Sequence, residues 1–463
     1  GSKYIAYSEE IAVALAAKLL DRPVKWTEDR REHFTSAIQE REQDWTMEIA
    51  TDGDGRVLAI RGSMLSDQGA YTPQGINMAY NASTGVPGPY IVPNYDIDVH
   101  VVETNAVAAA PVRGAGYPEG NYTMERLLDR AARAEGRYIG IGLANSLKGT
   151  GRGPFESGAV RIERSGRVRV FTGALAMGQG LKTMLAQVTS EQLGVAVGEI
   201  EVVAGDTRSI ALGLGGFASR QTVTAGSSVH QSAQAVRTKV LKLAAHLLEA
   251  AEDDLELADG SVRVKGADIS VTLKQVAEMA AGAPGYSMPK GVDPGLEAEI
   301  NFKPPALTYS NGVQAVEVEV DIGTGAVTFR NYVVVSDCGT LINPMIVDGQ
   351  IAGGVVHGIG NALYEWMGYD ERGQPLTTNL AEYLMPTATE LINIDMLYET
   401  SPSPLNPLGV KGVGETGTVP AAAAIVSAVE NALEPFGARL SDYPLKPSRL
   451  VEIVRESGRA AAG

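Results

Sequence analysis

The sequence predicts an α+β fold, and three observations support this prediction. First, the 463 residues are 44% hydrophobic and 20% charged, which is the composition of a globular chain of two or three domains. Second, strand-like and helix-like segments follow one another without the regular strand–helix–strand alternation of a doubly wound sheet. Third, short glycine turns at Gly53, Gly166 and Gly323 each separate two strand-like segments, which indicates hairpins within mixed sheets.

The first predicted unit covers residues 1–136 and begins with a helix. Ser8–Leu20 carries two early acids before an apolar body, and Arg22-Pro23 ends it. The turn Asp52-Gly53-Asp54-Gly55 joins two strands of a hairpin. The other elements predicted in this unit are strands at 24–26, 46–50, 56–65 and 96–102, a loop with a short helix at 68–94, and a helix at 126–135.

The second predicted unit covers residues 137–463 and opens with a hairpin at 160–172. Its longest helical pattern spans 223–251, where apolar residues recur at the spacing of a helix face. Residues 316–335 alternate apolar and polar side chains across the turn Gly323-Thr324-Gly325, as two paired strands do. The remaining predicted elements are helices at 180–193, 351–366 and 421–433 and a strand at 200–203.

Charge and cysteine content exclude several classes of protein. The net charge of −16 argues against a chain that binds nucleic acid or anionic lipid through a basic surface. Cys338 is the one cysteine, which excludes an intramolecular disulfide, a Cys-only zinc site and an iron–sulfur cluster ligated within this chain. One cysteine and no apolar signal core at the N-terminus lead us to expect a cytoplasmic protein.

The sequence lacks the usual nucleotide-binding and hydrolase motifs, but it contains five glycine loops that carry polar side chains. There is no Walker A run, no dinucleotide G-x-G-x-x-G after a strand, no H-E-x-x-H and no G-x-S-x-G. Glycine beside an amide or acid lets a planar ligand approach the backbone closely. The five loops with this character lie at 112–119, 177–180, 215–222, 337–350 and 411–415.

Three of these regions resemble one known family. GALAMGQGLKTMLAQVTSEQL, DCGTLINPMIVDGQIAGGVVHGIGNALYEW and KGVGETGTVPAAAAIVSAVENAL resemble segments of the molybdenum-binding large subunit of the xanthine dehydrogenase and aldehyde oxidase family, the molybdenum hydroxylases. The likeness runs in order from the first residue to about Leu450. It implies two cofactor-binding domains with the cofactor between them. Residues 1–136 would be the latter part of the first domain, and 137–463 the second.

The resemblance also implies roles for individual residues. Glu415 would be the catalytic base, and Gln179 and Gln350 would hydrogen-bond the cofactor. In this family no protein side chain ligates the metal, because the pterin dithiolene does. The further residues implied to bind the cofactor are Gly178, Gly180, Arg113, Gly114, Ala115, Ala218, Ser219, Arg220, Gln221 and Thr222.

The implied activity is oxidative hydroxylation of an N-heterocycle or aldehyde, with oxygen derived from water. The implied cofactor is molybdenum-molybdopterin in its cytosine dinucleotide form. Electrons would pass to Fe–S clusters and FAD on partner subunits, within a complex that dimerises. Gly1-Ser2-Lys3 resembles the tail of a G-G-F-G-x-K loop, so we expect either a fragment or a subunit split over two chains, with a separate chain supplying the upstream half.

Two departures from the family narrow the substrate, and three alternatives stay open. No counterpart of the Arg and Glu that bind purines is evident, and Cys338 lies outside the copper-binding loop of carbon monoxide dehydrogenases. Both xanthine and carbon monoxide are therefore disfavoured as substrates. Glu415 could instead be an acid on a surface loop. The chain could be a scaffold that has lost the metal, or an unrelated glycine-rich β protein that binds a nucleotide.

Overall fold

The α+β prediction is confirmed by a computed structural model, which describes residues 6–71, 74–134 and 141–460. Within these ranges the chain forms ten α-helices and fourteen strands in four sheets. The predicted boundary at 136/137 lies outside the described residues. Among the described helices, none combines the length and the apolar character needed to cross a bilayer.

The first unit is a three-stranded sheet with helices packed against one face. Strand β1 runs antiparallel to β2, and β2 runs parallel to β3. The core between this sheet and the helices contains Ile60, Met64, Met124 and Leu127. The elements are α1 (Ser8–Leu20), α2 (Arg30–Ser36), β1 (Gln43–Thr51), β2 (Val57–Asp67), α3 (Gly75–Gly85), β3 (Tyr95–Val102) and α4 (Tyr117–Ala134).

Most predictions for this unit are confirmed, and two need correction. Residues 24–26 were predicted as a strand, but they pair with no strand among the described residues and are largely exposed, so no neighbouring strand satisfies their backbone groups. Helix α4 begins at Tyr117, earlier than predicted, since the glycine loop before it folds directly into its first turn. Residue 135, the predicted end of this helix, lies outside the described residues. Helix α2 is an additional element, capped by Asp29.

The second unit begins with two sheets that share one apolar core. The hairpin predicted at 160–172 is present as β5 and β6, in a sheet ordered β11-β5-β6-β7. A small sheet ordered β10-β9-β8 completes this part. The elements are β4 (Gly142–Thr150), β5 (Glu156–Ile162), β6 (Val168–Thr172), α5 (Leu181–Leu193), β7 (Ile200–Ala204), α6 (Ser227–Leu248), β8 (Leu255–Ala258), β9 (Ser261–Val264), β10 (Ser270–Thr272), α7 (Leu273–Ala280) and β11 (Leu296–Phe302).

The remainder of the second unit packs helices on the sheet β14-β13-β12-β4. The alternation predicted for 316–335 is confirmed by the antiparallel pairing of β12 with β13. Helix α9 is buried from Ala421 to Glu430 and lies against β4 and β12. The elements are β12 (Thr308–Val320), β13 (Val327–Asp337), α8 (Pro344–Ile359), β14 (Asp395–Tyr398), α9 (Ala421–Ala432) and α10 (Pro447–Ala460).

Two helices of the second unit contain a wide π turn. Thr222–Gly226 is a π turn that leads into α6, and Gly360–Tyr364 is a π turn that ends α8. The predicted helix at 351–366 in fact starts at Pro344, where Asn343 caps it by accepting from the Ile346 N–H at 3.0 Å. π turns within helices often lie at functional sites, and Thr222 adjoins the cavity described next.

Candidate active site

One cavity brings together the predicted site residues. Its volume is 1340 Å³, and its wall comes from both the first unit and the second. This is above the usual range for a small-ligand site, so it can accommodate a bulky cofactor together with a substrate. Of the predicted residues, those that line it are Arg113, Ala115, Gln179, Ala218, Ser219, Arg220, Gln221, Thr222, Gln350 and Glu415, while Gly114, Gly178 and Gly180 adjoin them in sequence.

Glu415 lies in a glycine loop that leads into helix α9, which begins at Ala421. Gly412 packs so closely on the neighbouring loop that an added Cβ would come 2.0 Å from the carbonyl oxygen of Ser219. The Gly412 N–H donates to the Thr150 hydroxyl at 2.9 Å, which ties the loop to the end of β4. Because α9 behind it is buried, the loop holds Glu415 at the cavity wall with only 8% of its surface exposed. The alternative of an acid on a surface loop is therefore wrong.

Both carboxylate oxygens of Glu415 have partners within the chain. The Gly114 N–H donates to Oε1 at 3.1 Å, and the Ser219 hydroxyl donates to Oε2 at 2.7 Å. The ammonium of Lys148 is 3.5 Å from Oε2. Burial raises the pKa of Glu415, but Lys148 and these two hydrogen bonds outweigh burial and hold the pKa below its usual range. We call Glu415, Ser219, Gly114 and Lys148 the carboxylate end of the cavity.

Arg113 joins three segments behind the carboxylate end. Its Nε donates to the carbonyl of Gly414 at 2.5 Å, and its Nη2 donates to the carbonyl of Gln350 at 3.0 Å. Burial lowers the pKa of Arg113, and the charge of Glu415 opposes that effect. The Arg113 loop is thereby connected to both the Glu415 loop and helix α8.

A buried ion pair supports the Arg113 loop from below. Arg41 donates to the Arg113 carbonyl at 2.6 Å and to Glu119 at 3.2 Å, and both side chains of this pair are at most 10% exposed. Glu40 lies beside them and accepts from the Val112 N–H. Burial and the neighbouring Glu119 raise the pKa of Glu40 well above its usual range. The sequence offers no local signal for this support, because Arg41 and Glu119 are 78 residues apart.

The loop at 215–222 is held by a buried arginine. Arg220 and Glu156 form an ion pair at 2.5 Å with both side chains fully buried. The remaining Arg220 donors go to the carbonyls of Arg152, Phe155 and Gly215. The guanidinium therefore stabilises the loop. Because its donors are used within the protein, the predicted contact of Arg220 with the cofactor would have to come from its backbone, and this contact stays a prediction. Ala218 and Ser219 have φ of 47° and 49°, in the left-handed region that non-glycine residues rarely adopt.

Another part of the cavity wall carries two glutamine amides that contact each other. Gln179 donates to Gln221 and, at 3.0 Å, to the Leu175 carbonyl, and it accepts from the Met177 N–H at 2.6 Å. Gln221 donates to the same Leu175 carbonyl at 2.8 Å. We call Gln179, Gln221 and the loop around Leu175 the amide end of the cavity. Gln350 reaches the cavity from helix α8, and its amide has no hydrogen-bond partner among the described residues.

The residues present fit a bulky, polar-edged cofactor. Gly178 and Gly215 have φ of +97° and +82°, and an added Cβ would meet nothing within 4 Å at either position. These two glycines leave open space beside the amide end, where amides can bond ring nitrogens and oxygens of a pterin. Among residues 6–71, 74–134 and 141–460, no cluster of three His, Cys, Asp or Glu side chains is placed to hold a metal ion.

Three further side chains line the cavity although they are not among the predicted site residues. Lys148, on strand β4, faces Glu415 without any sequence motif around it. His357 lines the cavity from α8, where burial and the charges of Arg41 and Arg113 lower its pKa to about 4. Cys338 also lines it, and burial raises the pKa of its thiol to about 11. Cys338 is therefore a thiol, and not a thiolate, at neutral pH.

Comparison with known proteins identifies the class of protein. Residues 1–137 and 118–392 each match a family model described as a molybdopterin cofactor-binding domain. The chain therefore belongs to the molybdopterin cofactor-binding domain family. Its relatives are large subunits of molybdenum hydroxylases, so the family prediction is confirmed and the alternative of an unrelated glycine-rich β protein is wrong.

Individual relatives agree with this assignment. The chain is 35% identical to the 6-hydroxypseudooxynicotine dehydrogenase complex subunit gamma and 32% identical to the nicotine 6-hydroxylase large subunit, both of Paenarthrobacter nicotinovorans. These matches cover 97% and 98% of this chain and 65% of each relative, so the chain spans about two-thirds of the length of these relatives. The structure of quinoline 2-oxidoreductase from Pseudomonas putida 86 superposes with a TM-score of 0.92 at 33% identity, over 98% of this chain and 67% of that one.

Proposed function

We propose that this chain binds the molybdenum cofactor of a cytoplasmic hydroxylase and that Glu415 is its catalytic base. The observation that carries the proposal is the carboxylate end of the cavity. A buried carboxylate is held ionised by an ammonium, a hydroxyl and a backbone N–H at the wall of an amide-lined cavity. Each of these donors lies on a different segment of the chain, so the arrangement has the pre-organisation that a general base requires.

The residues of the amide end and the neighbouring loops would hold the cofactor. The amides of Gln179, Gln221 and Gln350 offer donors and acceptors, and Ser219 and Thr222 add hydroxyls. Gly178 would keep the backbone free of a side chain where the cofactor approaches, and Gly180, which packs closely on Ile346, would hold this loop against helix α8. When bound, the cofactor supplies the two-electron redox chemistry of a hydroxylation whose oxygen comes from water.

Glu415 would accept a proton during the reaction, and its neighbours would hold its carboxylate in a fixed orientation. Its lowered pKa leaves the carboxylate ionised at neutral pH, which is the form that a base must have. Gly114 and Ser219 each use one hydrogen bond to fix the plane of the carboxylate. Tyr80 and Phe217 lie along the same cavity and offer an aromatic surface against which a flat substrate can pack.

An N-heterocycle is the substrate class that we favour. Relatives named for nicotine and quinoline act on nitrogen heterocycles, and these exceed 30% identity to this chain. The aldehyde oxidoreductases that share the fold are only 22% identical and inform the fold alone.

We further propose Fe–S and FAD partner subunits, the cytosine dinucleotide form of the cofactor, dimerisation of the complex, and an upstream half supplied by a separate chain or a longer reading frame. The two cofactor-binding domains would meet near residue 136.

The test is the variant Glu415→Gln in the assembled complex. Gln has almost the same shape but does not accept the proton, so turnover should fall by at least ~10²–10⁴-fold, while molybdenum per protomer stays at the wild-type value. The rate at which a pyridine or quinoline substrate reduces the centre in a single turnover is the measurement. Glu365→Gln is the matched control, because Glu365 is half-buried against the Tyr383 hydroxyl and does not line the cavity.

Two outcomes would contradict the proposal. If the wild-type complex contains no molybdenum, the chain is the scaffold that has lost its metal. If Glu415→Gln retains molybdenum and reduces at the wild-type rate, Glu415 is not the base.

A further inference from the structure

A buried lysine lies beside the proposed base, and no motif in the sequence points to it. Lys148 belongs to strand β4, and only 3% of its side chain is exposed. Lysine is among the residues least often found fully buried, because removing an ammonium from water is costly unless it is paired. A lysine as deeply buried as Lys148 is therefore expected to have a partner of opposite charge or to serve the function of the protein.

The ammonium of Lys148 is held by three groups. It donates to the Gly149 carbonyl at 3.2 Å and lies 4.2 Å from the centre of the Tyr117 ring. Its third neighbour is Glu415 Oε2 at 3.5 Å. The carbonyl and the ring face leave the positive charge in place without neutralising it, so Glu415 is the group that balances this charge.

The other charged and titratable groups that face Glu415 do not replace Lys148. Arg113 donates hydrogen bonds to the carbonyls of Gly414 and Gln350. Glu40, across the Arg113 loop, would carry a negative charge if it ionised and would therefore repel the Glu415 carboxylate. Tyr117 presents a phenol, which carries no positive charge. Within the described part of the chain, Lys148 is the cationic side chain that comes within 4 Å of the Glu415 carboxylate.

The strand fixes Lys148 in this position. In β4, Lys148 pairs with Ser310 of β12, and the next residue but one, Thr150, accepts from the Gly412 N–H of the Glu415 loop. The same strand therefore positions both the loop that carries Glu415 and the cation that faces it. Neither the strand pairing nor the hydrogen bond to the Thr150 hydroxyl involves the side-chain charge of Lys148.

We propose that Lys148 is a positioning residue that keeps the Glu415 carboxylate ionised and thereby sets the acidic limit of catalysis. This inference rests on the proposed function of Glu415. The base must be deprotonated, so activity is lost where Glu415 becomes protonated. Removal of the neighbouring positive charge favours the protonated form, and the acidic limb of the pH profile moves to higher pH.

The experiment compares Lys148→Met with wild type in the assembled complex. Methionine is unbranched and of similar length, so it removes the charge with little change in packing. At the acidic edge of the profile, kcat/KM with quinoline should fall roughly tenfold relative to wild type, and at alkaline pH the two should converge. Lys148→Arg, which keeps the charge, should restore the limb towards its wild-type position.

A second measurement is independent of turnover. Difference infrared spectra between each protein and its Glu415→Gln counterpart isolate the carboxyl band of Glu415, and their pH titration follows its protonation directly. The band of protonated Glu415 should appear at higher pH in Lys148→Met than in wild type. If Lys148→Met does not assemble, Lys148→Gln provides the same neutralisation with a polar side chain.

Arg152→Met is the matched control. Arg152 also lines the cavity, but its guanidinium contacts Asn77 and Asn81 and has no contact with Glu415. Its loss should leave the acidic limb and the infrared titration where they are. The inference is overturned if Lys148→Met and wild type have the same acidic limb and the same infrared midpoint while Glu415→Gln is inactive. An active Glu415→Gln would instead contradict the proposed function.

Discussion

The two ends of the cavity are built in different ways. At the carboxylate end, Glu415 is 8% exposed, and both of its oxygens accept hydrogen bonds from the chain itself. At the amide end, Gln179 is only half-buried and lies beside Gly178, where an added side chain would meet open space. Both ends hydrogen-bond their side chains within the chain, so the difference is one of burial: the proposed base is enclosed by the protein, whereas the amide end borders open space that a ligand can fill.

The loop at 215–222 connects the two ends. Ser219 contacts Glu415 at one end, and Gln221 contacts Gln179 at the other. Between them, Arg220 is anchored to Glu156 inside the protein. Variants can therefore be chosen to damage both ends together or one end at a time.

Glu156→Gln should have the largest effect, because it damages both ends. It leaves the Arg220 guanidinium buried without its counter-charge, and breaking a buried ion pair in this way costs about 3–5 kcal/mol. Chemical unfolding of the variant should show this loss, and molybdenum content should fall with it. The control is Glu297→Gln, which removes an exposed partner of Arg161 and should cost at most about 1 kcal/mol. Equal losses in both variants would contradict the role assigned to Arg220.

Ser219→Ala should affect the carboxylate end alone. It removes the 2.7 Å hydrogen bond to Glu415 Oε2, and hydrogen bonds to charged groups contribute about 1.5–3 kcal/mol. Turnover should therefore fall by roughly ten- to a hundredfold, with most of the molybdenum retained. Thr224→Ser, which keeps a hydroxyl on the following helix, should behave as wild type. If the variant loses molybdenum but keeps its turnover per bound molybdenum, Ser219 acts in cofactor binding and not in supporting Glu415.

Gln179→Ala should affect the amide end alone. If this amide hydrogen-bonds the cofactor, its loss weakens binding by about 1–3 kcal/mol, so the occupancy of molybdenum falls while turnover per bound molybdenum is unchanged. Metal analysis alongside single-turnover kinetics separates the two quantities. Gln192→Ala is the control, because Gln192 lies on helix α5 and does not line the cavity. Full occupancy in Gln179→Ala would contradict the assignment.

The change of least consequence is at His357, whose titration makes the stability of this cavity wall depend on pH. Its folded pKa of about 4 lies below the ordinary value of 6.5, so the unfolded chain binds more protons between these values. The free energy of unfolding should therefore decrease as pH falls from about 6.5 towards 4, and His357→Phe should lose that part of the decrease. Denaturant unfolding at several pH values is the measurement. His100→Phe, on the exposed part of β3, is the control. Identical pH slopes for wild type and His357→Phe would show that His357 does not contribute.

Much of the site could be predicted from the sequence because its chemistry lies in short local motifs. The loops that carry Gln179, Gln350 and Glu415 were each recognisable by glycines next to an amide or an acid, and the structure brings all three to one cavity. Helices such as α1 and hairpins such as β5–β6 were predictable for the same reason, since their patterns are complete within a few residues. The strand predicted at 24–26 was wrong because strand formation also needs a partner, which a local pattern does not reveal.

The fold class, the family and most of the residues at the two ends of the cavity could be predicted from the sequence alone, with Lys148 as the exception. The contacts that support those residues are visible in the folded protein alone. Lys148 beside Glu415, Arg41 beneath the Arg113 loop, and Arg220 turned inward to Glu156 are contacts between segments 64 to 267 residues apart. Burial and charge balance depend on what surrounds a side chain in space, so the ionised state of Glu415 follows from the folded protein and from no motif.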